Sequence, residues 1–387
     1  MIQRLVDALA YPPTMQYQVD GLVPIGPLSE RVRHIDVLCP TLFNGDRFLD
    51  VGASKGYFSL RAVQGLADVV AIEPGEEAGR ILDVVLDEGV YHGGFTDYPG
   101  VMRFDRAFMG NVYHHITKQI DGYAWTAKLA ALMDDGGLVV IEGPSDGCPD
   151  MPGYPAERLF AAMDPCFVPV ASGPTTGYTP GRRIWVFRRK DRARVERPDS
   201  AVSVRVGFIN RNGEEKAHVW VDEASGVCFK TFRHPLPVAR QIAVEIAASS
   251  PRGTPILGWT HDGEGRVNGW ATPSIGDATV LEYRQAEHKV WRAYSEHNAH
   301  LARLGYVDMD PGGINWFHGS GLDHLRTFDK SAVMPIVGLT EQDIDHWATC
   351  ASRSYKEIDA TVGAHVMAAL STRKPNVVQG VFEEMSK

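Results

Sequence analysis

The sequence predicts an α/β domain built on a parallel sheet, followed by a smaller-stranded α+β domain. Strand and helix signals alternate through the first half, and a glycine-spaced loop joins the first apolar strand to its helix. Beyond the charged run Arg188–Pro198 the pattern changes to short β-type runs followed by long helical periods. The 387 residues are enough to bury two cores.

The elements follow in order. Ser29 is suited to cap a helix carrying Val32, Ile35 and Leu38 on one face. Strands are expected at Arg47–Val51, Val69–Glu73, Phe104–Met109 and Leu138–Glu142, with helices at Tyr57–Gln64, Glu77–Asp87 and Tyr123–Met133 between them. Gly136-Gly137 supplies a turn from the last of these helices into its strand, and Arg183–Phe187 closes the domain as a final strand. Such alternation places helices on both faces of the sheet and ligands at the carboxyl ends of its strands. The run Arg188–Pro198 has no apolar period, so domains are expected over 1–190 and 199–387.

In the second domain the runs Val202–Ile209, Ala217–Val221 and Val227–Phe232 read as a three-stranded meander. Helical periods follow at Pro237–Ser249 and Leu281–Leu304. A third, Thr340–Ser371, sets Ile344, Trp347, Ala348 and Ala351 at helical spacing. That last stretch either completes the domain or pairs with another chain, which leaves a homo-oligomer open.

Composition narrows the partners. A formal charge of −9 argues against a broad nucleic-acid surface, and no apolar run approaches membrane-spanning length, so no transmembrane segment is expected. The N-terminal stretch is too short and too charged for a secretion signal. Five scattered cysteines, an odd count without metal spacing, fit a reducing cytoplasm.

The chemistry concentrates in Phe48–Ser59, where an apolar strand end meets Asp50-x-Gly52-x-x-x-Gly56. Glycines so placed let the main chain turn and approach a ligand without a Cβ in the way. The spacing differs from the G-x-G-x-x-G of a dinucleotide loop, and the acid ahead of the first glycine suits a cationic, phosphate-free ligand. A second acid, Glu73, ends the next strand, where a carboxylate can accept both hydroxyls of a ribose. With Phe104–Ile116, which contains Gly110-Asn111 and Tyr113-His114-His115-Ile116, these segments resemble the class I S-adenosylmethionine-dependent methyltransferases, which have a Rossmann-like domain. Ser54 stands where many members carry glycine.

The resemblance implies S-adenosylmethionine held by Asp50, Gly52, Ser54, Gly56, Tyr57, Glu73, Gly110 and Asn111. Asp97 or its neighbour Thr96 would contact adenine. His114 and His115 follow the fourth strand, where the methyl would emerge, and are the candidate catalytic groups. Methyl transfer from a sulfonium is an in-line displacement in which positioning carries much of the catalysis. A hydroxyl acceptor needs a base, whereas an ionised phosphate oxygen needs none, and the histidines would then bind charge. The Pro- and Gly-rich segment Asp146–Tyr154 is either an acceptor loop or an ordinary connection.

In the second half, Val227-Cys-Phe-Lys230, the helical Glu245 and Gly305–Asn315 occur in the order of a protein kinase-like fold, which they resemble. The resemblance implies Lys230 and Glu245 gripping ATP phosphates, Asp310 as catalytic carboxylate, and Asn315 and Asp329 as Mg2+ ligands. Another register puts Thr327 in the last of these places. The pattern departs from kinases in having only Gly213 at the first turn, Asp308 where a histidine is usual, and no basic residue soon after Asp310. A class I methyltransferase domain followed by a kinase-like domain resembles the bifunctional enzymes of polysaccharide biosynthesis that cap bacterial O-antigen chains. That implies methyl transfer to an oxygen of a glycan, a glycan-phosphate or a related small acceptor. Two alternatives stand beside it: a bifunctional methyltransferase and ATP-dependent kinase, and a non-catalytic cofactor-sensing module with a partner-binding pseudokinase half.

Overall fold

A computed structural model describes residues 27–120, 122–146, 148, 153–175, 181–204, 217–274, 287–311, 316–318, 325–327, 332–354 and 360–387. The chain forms two compact units, one ending at Asp191 and the other starting at Arg192, with Pro99–Val101 grouped with the second.

The first unit runs α1 (Pro27–Leu38), β1 (Arg47–Val51), α2 (Tyr57–Gln64), β2 (Asp68–Glu73), α3 (Glu76–Val85), β3 (Val90–His92), β4 (Phe104–Gly110), α4 (Tyr113–Gln119), α5 (Trp125–Leu132), β5 (Met133–Pro144), α6 (Ala156–Met163), β6 (Phe167–Pro174) and β7 (Arg182–Arg189). Its seven strands lie in the order β3-β2-β1-β4-β5-β7-β6. The pairs β1–β2, β1–β4, β2–β3 and β4–β5 are parallel, while β7 runs antiparallel to both β5 and β6. The order reverses between β1 and β4, so a crevice opens at their carboxyl ends, where such sheets bind ligands.

Burial on both faces explains the unbroken apolar strand cores: Phe48, Leu49 and Val51 of β1 and Ala107, Phe108 and Met109 of β4 are all buried. One layer packs Val32 and Ile35 of α1 with Phe58 and Ala62 of α2 against Phe48 and Phe108. The face of α1 predicted from its spacing is thus the buried one. Gly136-Gly137 does not form a helix-to-strand turn; α5 stops at Leu132, and both glycines lie within β5, where its register against β4 is irregular. Gly136 there has φ +72°, a left-handed value that glycine adopts without strain.

The second unit contains β8 (Val202–Val204), β9 (His218–Asp222), β10 (Val227–Thr231), α7 (Val238–Ser249), β11 (Gly258–His261), β12 (Val267–Pro273), α8 (Glu287–Arg303), β13 (Tyr306–Asp308), β14 (Trp316–His318), β15 (Leu325–Thr327), β16 (Val333–Pro335), α9 (Glu341–Ser354), α10 (Ala360–Ser371) and α11 (Pro375–Met385). The expected three-stranded meander extends to an antiparallel sheet of five, ordered β11-β12-β10-β9-β8. Trp259 and Trp270 pair across β11 and β12 and pack with Val244 of α7. A separate helical core joins Tyr294 of α8, Trp347 of α9, Leu370 of α10 and Phe382 of α11. No described helix is long and apolar enough to cross a membrane.

Candidate functional site

The loop after β1 is shaped by backbone needs that its sequence meets. Gly52 and Gly56 have φ of +72° and +84°, and Ser54 between them has +52°. A Cβ on Gly52 would stand 2.9 Å from Val112 Cγ2, and one on Gly56 would stand 2.7 Å from Leu82 Cδ2. Both glycines are therefore required by conformation and by space. Ser54 adopts the left-handed region despite its side chain, a conformation that elsewhere marks a local constraint. Here the constraint is visible: the Ser54 amide donates to Glu73 Oε2 at 2.7 Å.

Glu73 also accepts from the Gly75 amide through Oε1 at 2.8 Å. One carboxylate at the end of β2 thus ties together the two loops that flank the crevice. A carboxylate has about four acceptor positions, so two remain for hydroxyls of a ligand. Asp50 is different. It is buried, accepts from Ser59 Oγ at 2.7 Å, and burial pushes its carboxyl up to about 6, opposed by the Ser59 hydrogen bond and the Arg31 charge.

Across the switch point, β4 ends in Gly110-Asn111. A side chain on Gly110 would collide with Arg31 and Phe108, and Asn111 has φ +57°. The Asn111 side-chain oxygen accepts from Arg182 Nη1, and its amide donates to Glu142 O. Beneath lies a buried ion pair between Arg31 of α1 and Glu142 near the end of β5. Burial raises the Glu142 carboxyl, and the Arg31 and Arg182 charges counter it. Arg31 also lies over the rings of Phe58 and Phe108, at 5.0 and 5.5 Å. Helix α1 is thereby fixed to the strand ends by charge as well as by its apolar face.

His114 and His115 open α4, with ring centroids 4.1 Å apart. His114 is 1% exposed, and neither of its ring nitrogens has a hydrogen-bond partner among the described residues. Burial, joined by the nearby His115, Arg182 and Lys118, holds its protonation down at about 3. His115 is exposed, and burial, Lys118 and Arg182 lower it too. Tyr154, at the end of the Asp146–Tyr154 segment, sets its ring against His114 and donates to the His114 carbonyl at 3.3 Å.

Tyr57 packs edge-on to Phe58 at the start of α2 and is buried. Asp97 lies in the loop after β3, accepting from the Gly94 amide at 3.2 Å. That loop is held from below by Lys128 of α5, a fully buried lysine whose Nζ donates to Thr96 O at 2.7 Å and which burial lowers to about 7. Sequence reasoning did not single out Arg31, Ser59, Lys128, Glu142 or Arg182. Only Glu142 carried a signal, an acid ending an apolar strand as Asp50 and Glu73 do.

In the second unit Lys230 is buried on β10, its Nζ 5.6 Å from the centre of the Trp270 ring. The Glu245 carboxylate takes a two-pronged contact from Arg192, Nε to Oε1 at 2.5 Å and Nη2 to Oε2 at 3.1 Å. This partner was not foreseen for Glu245, because the charged run around Arg192 reads as linker in the sequence. The Asp310 amide donates to Asp308 Oδ1 at 3.0 Å. Asp308 is itself buried beside His297, and its amide donates to Asn298 Oδ1 at 2.7 Å. Asn315 and Asp329, expected as metal ligands, lie outside the described residues, as does the Thr327 side chain. Among the described residues no group of three metal-ligating side chains comes together.

The fold thus defines an α/β unit with a ligand crevice at a sheet switch point, joined to an α+β unit with a helix after its third strand. No protein-family model and no curated protein matches the chain. Among solved structures, one described as the bifunctional kinase-methyltransferase WbdD aligns over 99% of this chain and 95% of its own, at 13% identity and a TM-score of 0.34. A higher-resolution WbdD structure aligns over the same shares at 14% identity and 0.37. The N-methyltransferase NodS from Bradyrhizobium japonicum WM9, in complex with S-adenosyl-L-homocysteine, covers 48% of this chain and 97% of its own at 16% and 0.36.

Proposed function

We propose that the first unit is an S-adenosylmethionine-dependent methyltransferase. The observation that carries this is the Gly52–Gly56 loop locked onto the Glu73 carboxylate at the β1/β4 switch point, with Asp50 buried below it. Such a site offers acceptors to ribose hydroxyls and to a cationic donor, and lacks the arrangement of amides on a pyrophosphate that a dinucleotide requires. Gly52, Ser54, Gly56, Tyr57, Gly110 and Asn111 shape its walls, and Asp97 with Thr96 borders the adenine end. When bound, the cofactor supplies an activated methyl. The residues supply its position.

The acceptor we infer is an oxygen that is already ionised, of the glycan-phosphate class. His114 is a weak base in its buried setting, while Arg182 and Lys118 stand close enough to depress both histidines. That set binds an anion better than it deprotonates an alcohol. Calorimetry with S-adenosylhomocysteine tests the cofactor site: Asp50→Ala and Glu73→Ala are each expected to weaken binding by at least tenfold, and unchanged affinity in both overturns the reading.

A second reading concerns the other unit. The register places Lys230 on the sheet face that carries Trp270 and packs on α7, the helix that bears Glu245. This favours an ATP site with Mg2+, with Asp310 as its carboxylate and Asn315 and Asp329 as metal ligands. Calorimetry with ATP and Mg2+ tests it, and no heat of binding removes it. The five free cysteines fit a reducing, cytoplasmic setting.

A further inference from the structure

The small sheet of the second unit has two faces. Pairing across β9, β10, β12 and β11 puts Trp220, Thr231, Gly269 and Thr260 on one face, and Val219, Lys230, Trp270 and Trp259 on the other. The second face is covered by α7. The first is bordered by residues 194–197, which join the sheet edge through a parallel bridge from Arg194 to Trp259. A groove of about 470 Å³ opens here, lined by Arg194–Arg197 and by side chains of β9 to β12. It lies across the sheet from Lys230 and is separate from the face that α7 covers.

The lining has a definite chemistry. Two cations, Arg194 and Arg197, face two acids, Glu196 and Asp262, so the groove carries no net charge for a phosphate or a polyanion to exploit. Asp262 is in addition paired with Arg266 at 2.9 Å. Arg197 lies 4.1 Å above the Trp220 ring centre, forming a flat stacked platform. Around it stand neutral groups that can both donate and accept. Thr231 Oγ1 accepts from Trp220 Nε1 at 3.3 Å and keeps its own proton to give. Thr260 donates to Asn268 Oδ1 at 3.0 Å, which leaves the Asn268 amide nitrogen as a donor. His261 lines the groove beside them.

Gly269, between β10 and β11, has no room for a side chain, since a Cβ there would stand 2.7 Å from Thr260 Oγ1 and closer still to the Lys230 carbonyl. Hydroxyl, amide and imidazole groups beside an aromatic-guanidinium platform match a polyhydroxylated ring, whose hydroxyls donate and accept at once and whose C–H faces stack on aromatic surface. The volume is that of a small-ligand site.

We propose that this groove binds neutral carbohydrate, a short stretch of sugar rings packed against the Trp220–Arg197 platform and hydrogen-bonded to Thr231 and Asn268. Binding here is independent of methyl transfer and of any nucleotide at Lys230. Where the acceptor is a glycan, as proposed for the first unit, the groove gives its chain a second point of attachment.

The test is saturation-transfer NMR on the full chain with neutral di- and trisaccharides of hexoses and N-acetylhexosamines, followed by titration of the best binder. Trp220→Ala is expected to weaken that binder by about tenfold, the scale of one lost stacking contact. Thr231→Val and Asn268→Asp, which preserve shape, should each weaken it severalfold, with the melting temperature and S-adenosylhomocysteine affinity unchanged. Absence of binding by every oligosaccharide at millimolar concentration overturns the proposal. So does binding that all three variants retain, or a groove that ATP or inorganic phosphate occupies instead and whose variants abolish that binding.

Discussion

Replacing Asp50 by Asn should stabilise the protein and impair its cofactor site at once. Asp50 is buried, and its carboxyl titrates at about 6 against an ordinary 3.8, with desolvation as the leading cause. Its folded pKa is raised, so below pH 3.8 it is neutral in both states and exerts no penalty. As pH climbs from 4 to 6 the unfolded chain ionises while the folded one resists, and stability drains away. Above pH 6 the full penalty applies, about two pKa units, or ~3 kcal/mol as an upper figure. Asparagine keeps an oxygen to accept the Ser59 hydroxyl and carries no charge to desolvate. The first unit of the Asp50→Asn variant should melt several degrees above wild type at pH 8, roughly 6–10 °C if the whole penalty is relieved. At pH 4 the two should nearly coincide. In the same melts, S-adenosylhomocysteine at saturating concentration should raise wild type by more than the variant, because the ligand's stabilisation follows its affinity. A difference that does not change between pH 4 and 8, or a variant less stable at pH 8, would refute the account of Asp50 as a charge kept at the expense of stability.

Four other outcomes are expected. Lys128, lowered by burial to about 7, makes native stability rise between pH 7 and 10 by up to roughly 1.4 kcal/mol per unit; denaturant titrations of Lys128→Met should lack that rise. Gly56→Ala forces a side chain to φ +84° and into Leu82, and should lower stability by about 1–3 kcal/mol in the same titrations. Glu73→Gln keeps an acceptor oxygen for only one of the Ser54 and Gly75 amides and turns an NH2 on the other, so it should keep the overall fold by circular dichroism, loosen this loop, and weaken S-adenosylhomocysteine by at least about tenfold in calorimetry. The pH profile of kcat/KM, which reports the unliganded enzyme, should show no inflection from His114 between 5 and 8, since that ring is neutral there; a limb near 6.5 removed by His114→Gln would contradict this.

The first unit was largely legible because its signals are local. Strand β1 and helix α2 occupy the spans read from their apolar periods, and the glycines of their loop are demanded by φ values that few other residues tolerate. The short helix α4 was not read, because His114 and His115 interrupt its apolar face. The site's deeper layer was not legible either. Arg31, Glu142 and Arg182 come from α1, β5 and β7, and no spacing in a single sequence encodes their meeting. The same holds for Glu245, whose grip by Arg192 joins a linker residue to α7. Strands β11 and β12 escaped notice for a simpler reason: Gly258, Gly263, Gly265 and Gly269 break the β pattern that Trp259 and Trp270 carry.

The electrostatics of the crevice bear on why so many ionisable groups are buried around it. Asp50, Lys128, Glu142 and His114 all titrate on the side of neutrality, each driven there first by desolvation. In a unit that only had to fold, apolar residues of similar size would serve as well or better. Their concentration at one sheet edge, under a loop whose glycines leave the backbone open, is the pattern of a site that holds charge for a ligand and relaxes when the ligand arrives. A sulfonium cation near Asp50 would restore its ionised form, and an anion near His114 would do the same for the imidazolium. The two pKa shifts should therefore move apart, Asp50 falling as cofactor binds and His114 rising as acceptor binds, so proton uptake measured in two buffers should have opposite signs for the two ligands.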